Sequence, residues 1–506
     1  MTKRLMRAWK AIMETANLKA QPAAGDRRGS RTARDLDRRT LGVESLESRK
    51  VLATFVVTHL ADSGDGSLRA AVESANAQAG ADVISFRKGL TGSIFLTSGS
   101  LPLTGQLAIE GPGASRLTVS GNKASRVFTL DSSATQVSIR NLRIADGRHA
   151  GQENVGIVVT RGGAILNDGG NLLLDNVRME NNVAINDRNS ANPSRVVGGG
   201  AIANSTGAKL TVTRSTFRDN VASGGVGYSF GGAIASVTNS LLSIDRSDFR
   251  GNVTRGGAVN YGGAVANFGS SSMTVNRTKM EENKALGLLD GDLALGGAIA
   301  ASRGTVNTQG STTLIQDSTL RRNTAQAGLG ADAGGGAIYN YDSMMLVSRT
   351  KIEENLALGG EGDNLTDGGD AYGGGIFNEQ SDPAILTSLR LMYTEIAENL
   401  ARGGRGREGG RALGGGIFNG SVIPNPLVLP VVQATRTTIQ DNVAKGGASR
   451  VASSPGAGIG GGIYTTGPFS VDSFTQKALG RGSHSNEAST EADNVFGTLT
   501  PTGTPK

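Results

Sequence analysis

The pattern of polar and apolar positions changes character along the chain. Residues 3–20 (KRLMRAWKAIMETANLKA) place Leu5, Trp9, Ile12, Met13 and Ala16 on one helical stripe, with Lys3, Arg4, Arg7 and Lys10 around it. This predicts a short basic amphipathic helix. Residues 21–40 are charged, rich in small residues and without a period, the composition of a disordered segment. Residues 54–60 (TFVVTHL) predict a strand from their β-branched content. Leu68, Ala71, Val72 and Ala75 then recur at helical spacing, so 68–79 predicts an amphipathic helix with Ser67 as its N-cap. Residues 82–86 and 93–96 predict strands again. Further on the period is two, as in 137–144 (VSIRNLRI), 209–217 (KLTVTRSTF) and 241–249 (LLSIDRSDF), which means strands.

From residue 160 two signatures alternate. The first is a Gly pair, a small residue and an aliphatic, ending at Ile165, Ile202, Ile234, Val265, Ile299, Ile338, Ile376, Ile417 and Ile463. The second is an apolar residue three positions before an Asn: Met179/Asn182, Phe217/Asn220, Phe249/Asn252, Met280/Asn283, Leu320/Asn323, Ile352/Asn355, Ile396/Asn399 and Ile439/Asn442. From first Gly to Asn is 20 or 21 positions in five repeats and 26 to 28 in the other three. The repeat lengths of 31 to 46, with no helical stripe, exclude helical arrays. A propeller blade needs four strands, and these repeats hold about three. The pattern predicts an all-β fold, a right-handed parallel β-helix with an N-terminal capping helix. Identical positions would stack in register about 4.8 Å apart. The Gly pairs would sit at tight corners. The Asn column would form an internal ladder, each amide bonding along the stack.

The expected organisation is a basic leader over 1–53, a cap with the first strands over 54–96, the β-helix over 97–470 and a polar C-terminal tail over 471–506. Composition agrees with a repeat: 75 of the 506 residues are Gly, 12 are Pro and none is Cys. The absence of Cys removes disulfide, zinc-finger and thiol chemistry. The net charge of +7 suggests nucleic acid until it is located. Residues 1–50 hold 13 basic and 6 acidic residues; the remainder holds 38 of each. The body is neutral, so no nucleic-acid face is expected on it. No apolar run reaches 18 residues, so no transmembrane helix is expected.

Three strings carry resemblances. Leu46-Glu47-Ser48-Arg49-Lys50-Val51-Leu52-Ala53 resembles the leader of many planctomycete surface proteins, with Ser48 where that pattern has Pro. It implies an exported protein whose mature part starts near Ala53 or Thr54. The string from Asp62 to Ala77 (DSGDGSLRAAVESANA), followed by Asp82–Phe86, resembles the opening segment of secreted bacterial β-helix proteins of the CSLREA type, without that motif's Cys. The alternation of G-G-A-[ILV] with F-x-x-N over about 160–465 is similar to chlamydial polymorphic outer-membrane proteins. That resemblance implies a surface passenger domain; the residues after Ile463 are too few for the outer-membrane barrel that follows such passengers.

The chemistry-bearing positions are few. If the register holds, Glu354, Glu398 and Asp441, each one position before the Asn column, occupy successive rungs. Neighbouring carboxylates suit glycoside hydrolysis or, with calcium, a uronate lyase. Alternating signs at Glu281, Arg321 and Glu353 argue instead for a solvated ladder. Asp363, Asp367 and Asp370 are candidate calcium ligands within a loop, although their spacing matches no calcium motif. No cofactor is expected. The arcs from Asn to the next Gly pair vary from 9 to 17 residues and would project from one face, where loops carry recognition. Arg402, Arg405, Arg407 and Arg411 make one of them locally basic, a plausible contact for a glycan or anionic polymer. Trp9 is the only Trp, so the body lacks Trp platforms for sugars. The sequence therefore favours an exported, cell-surface or extracellular binding, adhesive or structural protein whose partner is a glycan, surface polymer or surface protein. The alternative is a carbohydrate-active enzyme of pectate-lyase-like fold.

Overall fold

One coil shows the plan of the molecule. Leu241–Asp245 lies in the first sheet (I), Asp248–Arg250 in the second (II), Val253–Arg255 in the third (III), Val259–Tyr261 in the fourth (IV) and Val265–Phe268 in the fifth (V). Each strand pairs in parallel with its equivalents one coil away. Repeating this builds a right-handed parallel β-helix whose sheets hold 14, 11, 10, 9 and 12 strands in that order, among the described residues. The structure is a computed structural model. It describes residues 52–150, 159–186, 196–225, 227–303, 310–423, 426–451, 454–480 and 484–502. The leader helix and the planctomycete-like string lie almost wholly outside them. No helix among the described residues is long and apolar enough to cross a membrane.

The strand count departs from the expected three. Coils before residue 148 have three strands; sheets III and IV begin only with Arg148–His149 and Val159–Arg161. These added strands are two or three residues long and place mostly alanine between them. So short an alternation of small side chains carries no legible apolar period. At the other end the sheets continue past residue 470, through Glu487–Ala488, Val495–Phe496 and Leu499–Pro501.

The main core lies between sheets I, II and V. The two aliphatic stacks read from the sequence pair in register: Ile234, Val265, Ile299 and Ile338 run along sheet V, and Phe217, Phe249, Met280 and Leu320 along sheet II. All eight are fully buried. The Phe217 and Phe249 rings lie parallel at 4.6 Å. At one end, helix α1 (Leu68–Asn76) buries Leu68, Ala71, Val72 and Ala75 against Thr54–Val57, Ala81–Phe86 and Leu101–Leu103. Ser67 caps it, accepting from the Ala70 N–H. Asp62 and Arg69 of the same sequence string form an ion pair at 2.9 Å. Burial alone would raise the Asp62 pKa; hydrogen bonds from Arg69, Ser98 and Thr97 outweigh it and hold it at about 2. The helix thereby covers apolar ends that an open solenoid would leave in water.

The glycine pairs turn the chain from sheet IV into sheet V. Gly296 has φ +71°, and a Cβ on Gly297 would lie 2.1 Å from the Gly336 carbonyl oxygen. The first position needs the left-handed region and the second has no room for a side chain.

Asn182, Asn220, Asn252, Asn283, Asn323, Asn355, Asn399 and Asn442 are buried after sheet II. From Asn220 onward each Oδ1 accepts from the backbone N–H and the Nδ2 of the equivalent Asn one coil earlier, as Asn355 does from Asn323 at 3.0 and 2.9 Å. Each Nδ2 also donates to a carbonyl, as Asn355 does to Leu320 at 2.9 Å. Gly147 N–H starts the series on Asn182, and Asn486, outside the apolar-x-x-Asn pattern, continues it. A second amide series runs inside sheet V, where Asn340 donates to Asn378 and Asn378 to Asn419.

Candidate functional site

The structure distributes the sequence-picked residues over two places. Glu354, Glu398 and Asp441 stand on three successive coils at the corner between sheets II and III, in the left-handed backbone region (φ 55°, 56° and 55°). They are turn residues. The Glu354 carboxylate is engaged by Arg321, with Arg322 at 4.0 Å. Asp441 lies 2.9 Å from His484 Nδ1. Asp363, Asp367 and Asp370 occupy the arc from sheet III to sheet IV and do not converge. Asp363 caps its own turn through Leu365 and Thr366; Asp367 binds Arg407 at 2.9 and 3.0 Å; Asp370 binds Arg411 at 3.0 and 2.6 Å. No group of three metal-ligating side chains stands together among the described residues.

The same pairs correct the reading of the arginine cluster. Arg407 and Arg411 are neutralised as above, and Arg402 faces Glu361 at 3.6 Å. The arcs that carry them are not free loops at their base. Gly360 donates to Ala331, Gly369 to Gly360, Gly404 to Gly369 and Gly410 to Gly404, all at 2.8 or 2.9 Å. This zigzag of backbone hydrogen bonds ties outgoing and returning arms of successive coils together. A Cβ on Gly404 would lie 1.9 Å from the Gly360 oxygen, so the glycines are what allows the arms to meet.

A different feature gathers polar and aromatic chemistry. The outward side chains of sheets IV and V pack against one another into a core of their own on the outside of the solenoid. Six of the chain's seven tyrosines lie in it. Its ring-to-ring contacts run unbroken along the molecule. Tyr228, Phe230 and Tyr261 stand 5.7 to 6.3 Å apart; Tyr261 meets Phe268 at 5.2 Å and Tyr339 at 6.0 Å; Tyr339 meets Tyr341 at 5.8 Å. Sheet V has Ala235, Ala266 and Ala300 in the earlier coils where Tyr339, Phe377 and Phe418 stand later. The small residues leave the rings of sheet IV partly in solvent there: Tyr228 is 37% exposed, and Phe230 and Tyr261 are half-buried.

The row of rings leads to a carboxyl cluster at the corner from sheet V to sheet I. Tyr339 Oη donates to Glu379 Oε2 at 2.8 Å. Glu379 is 5% exposed, and this burial, against the opposing Tyr339 hydrogen bond, pushes its pKa up to about 7. Asp342 is fully buried and accepts from Ser381 N at 2.9 Å, Ser381 Oγ at 3.0 Å and Asp382 N at 3.2 Å. Arg303 lies 3.3 Å from Asp342 and pairs with Asp382. Tyr341 bonds Ser381. Three insertions at this corner, over 303–310, 380–387 and 421–430, produce the three long Gly-to-Asn intervals of 26 to 28 residues. Those intervals were the available signal. No local sequence pattern marks the cluster, because its hydrogen bonds and ion pairs join residues of successive coils: Tyr339 and Glu379 are 40 positions apart.

No family model matches the chain, and no curated protein matches it. Several solved structures are similar. The periplasmic alginate epimerase AlgG is 10% identical over 82% of this chain and 80% of its own, with a TM-score of 0.38. The catalytic domain of a GH87 α-1,3-glucanase in complex with nigerose is 13% identical over 89% of this chain and 68% of its own, at 0.37. The A-module of the Azotobacter vinelandii mannuronan C-5 epimerase AlgE6 is 12% identical over 88% and 97%, at 0.34. At these values no site is carried over from them to this chain.

Proposed function

We propose that this chain is an exported β-helix protein that binds a glycan along the outer aromatic row of sheets IV and V. The observation that carries the reading is the unbroken row of aromatic rings, partly exposed at Tyr228, Phe230 and Tyr261, that touches the Glu379–Asp342–Asp382–Arg303 cluster through Tyr339 and continues through Phe377, Phe418 and Tyr464. Sugars present apolar C–H faces that stack on such rings, and hydroxyl groups that donate to carboxylates. The leader string and the balanced charge of the body support export and a non-nucleic-acid partner. A polysaccharide array probed with the full chain tests this. Saturable binding to at least one polysaccharide, reduced tenfold or more in Tyr228→Ala at an unchanged thermal midpoint, supports the reading. Uniform absence of binding contradicts it.

A second reading, action on the bound glycan, is favoured by Glu379. A carboxyl held near neutrality by burial can donate or accept a proton at physiological pH. If the chain cleaves a polysaccharide, Glu379→Gln lowers the rate by about 10²–10⁴-fold and leaves array binding intact. Unchanged cleavage in that variant would remove Glu379 from the chemistry.

A further inference from the structure

The step at which the coil widens makes a groove of its own. At residue 120 the chain still passes from sheet II straight to sheet V, from Leu117–Ser120 to Phe128–Leu130. From Arg148–His149 onward sheets III and IV intervene. The first wide coil therefore projects beyond the narrow one before it. At that corner lies a groove of about 480 Å³, lined by Gly147, Val183 and five polar residues, Lys123, Asp146, Arg148, Asn181 and Asp219. Its size is that of a small-molecule site. The five polar side chains are unengaged: none makes a hydrogen bond or ion pair with another described residue. Nearby charges on sheet II are paired, Arg143 with Glu180 at 2.7 Å and Arg250 with Glu282 at 3.0 Å. Two cations and two carboxylates thus face one groove without neutralising each other.

We propose that this groove binds a short, uncharged saccharide, at a site separate from the ring row and independent of that reading. Its charges balance, so it favours neither a polyanion nor a polycation, and Lys123 and Arg148 would repel a metal ion. Val183 is its only apolar side chain, so a lipid or an aromatic ligand finds little surface to bury against. A sugar hydroxyl is donor and acceptor at once. It can donate to Asp146 or Asp219 and accept from Lys123 or Arg148, while the Asn181 amide offers both. Hydrogen bonds with one charged partner are the stronger kind. With no ring to stack on, the affinity is expected to be millimolar, too weak to register in the polysaccharide binding that Tyr228 reports.

Methyl NMR of the full chain reads the groove through Val183, whose signal is the one that Val183→Ile removes. Maltose, cellobiose, mannobiose and xylobiose are titrated in turn, with diglycine beside them as a small zwitterion. The expected result is a saturable shift of the Val183 signal by at least one disaccharide and none by diglycine. Asp219→Gly and Arg148→Val should each weaken that binding by at least about fivefold, and Tyr228→Ala should leave it within about twofold. Both groove variants install the residue that the following coil carries at the same place, Gly251 and Val183, so the fold is retained; an unchanged pattern of the other methyl signals checks this. No shift with any disaccharide, wild-type affinity in both groove variants, or diglycine binding as tightly as the best disaccharide each overturns the proposal and leaves the ring-row reading standing. Loss of the shift in Tyr228→Ala also overturns it, by tracing the signal to the ring row.

Discussion

Asn355 shows how much one buried amide does. It accepts two hydrogen bonds from Asn323 and donates to Asn399 and Leu320. Replacing it by Leu leaves buried donors and acceptors on both neighbouring coils unpaired, each costing about 1–3 kcal/mol. Asn364, exposed at the tip of an arc, has no such role. Asn355→Leu should lower unfolding free energy by about 3 kcal/mol or more, and Asn364→Leu by less than about 0.5 kcal/mol. Equal denaturant midpoints would show that the amide series does not carry stability. Glu379 supplies a second residue-scale expectation. Its folded pKa of about 7 lies above the usual carboxylate value of 4.5 because of burial, so the folded state binds the proton more tightly than the unfolded one. That contribution is complete below about pH 4.5 and is lost as pH rises through about 7. Glu379→Gln should therefore exceed the wild type in stability at pH 8 by about 2–3 kcal/mol and match it near pH 4. An unchanged difference between the two pH values would mean that folding does not shift the carboxyl's pKa.

The second amide series shows how elements depend on register. Asn267, Ala301 and Asn340 are aligned on three successive strands of sheet V. Ala301 cannot donate, and Asn340 Oδ1 is left buried without a partner. Asn267 donates instead to Thr313 Oγ1 at 3.0 Å, and Thr313 stands where the neighbouring strands of sheet I have Met273 and Met345. The Thr therefore compensates locally for the gap. The pair Ala301→Asn with Thr313→Leu should restore a continuous series and an apolar row, raising stability by about 1 kcal/mol per hydrogen bond gained. Loss of stability in the double variant would show that the coil has closed around the smaller side chains. This scale also marks what the sequence made legible. Gly pairs, the aliphatic stacks and the capping helix could be read because each is a local pattern repeated at every coil. Sheets III and IV could not, because strands of two or three residues with one small inward side chain, mostly alanine, carry no period. The carboxyl cluster and the ring row could not either, since Arg303, the Tyr339–Asp342 segment and Glu379 belong to three different coils. The sequence GIFN at 375–378 and 416–419, with AIYN at 337–340, held part of the signal: each places an aromatic residue between an inward Ile and an inward Asn, hence outside the solenoid.

At the scale of the whole molecule, the β-helix is a frame on which the outer faces of sheets IV and V carry a row of rings, while the arcs from sheet III to sheet IV are tied down by glycine backbone and internal ion pairs. A glycan bound to this protein should lie along that row. The tyrosines report it directly, because six of the seven belong to the ring row and the only Trp is Trp9 in the leader. In the full chain carrying Trp9→Phe, emission is tyrosine emission alone. Titration with a soluble neutral glycan drawn from the array should change it saturably, with the same midpoint as binding measured by calorimetry, and Tyr228→Ala should lose both signals together. Calorimetric binding that leaves tyrosine emission unchanged would place the glycan elsewhere on the solenoid and contradict the account.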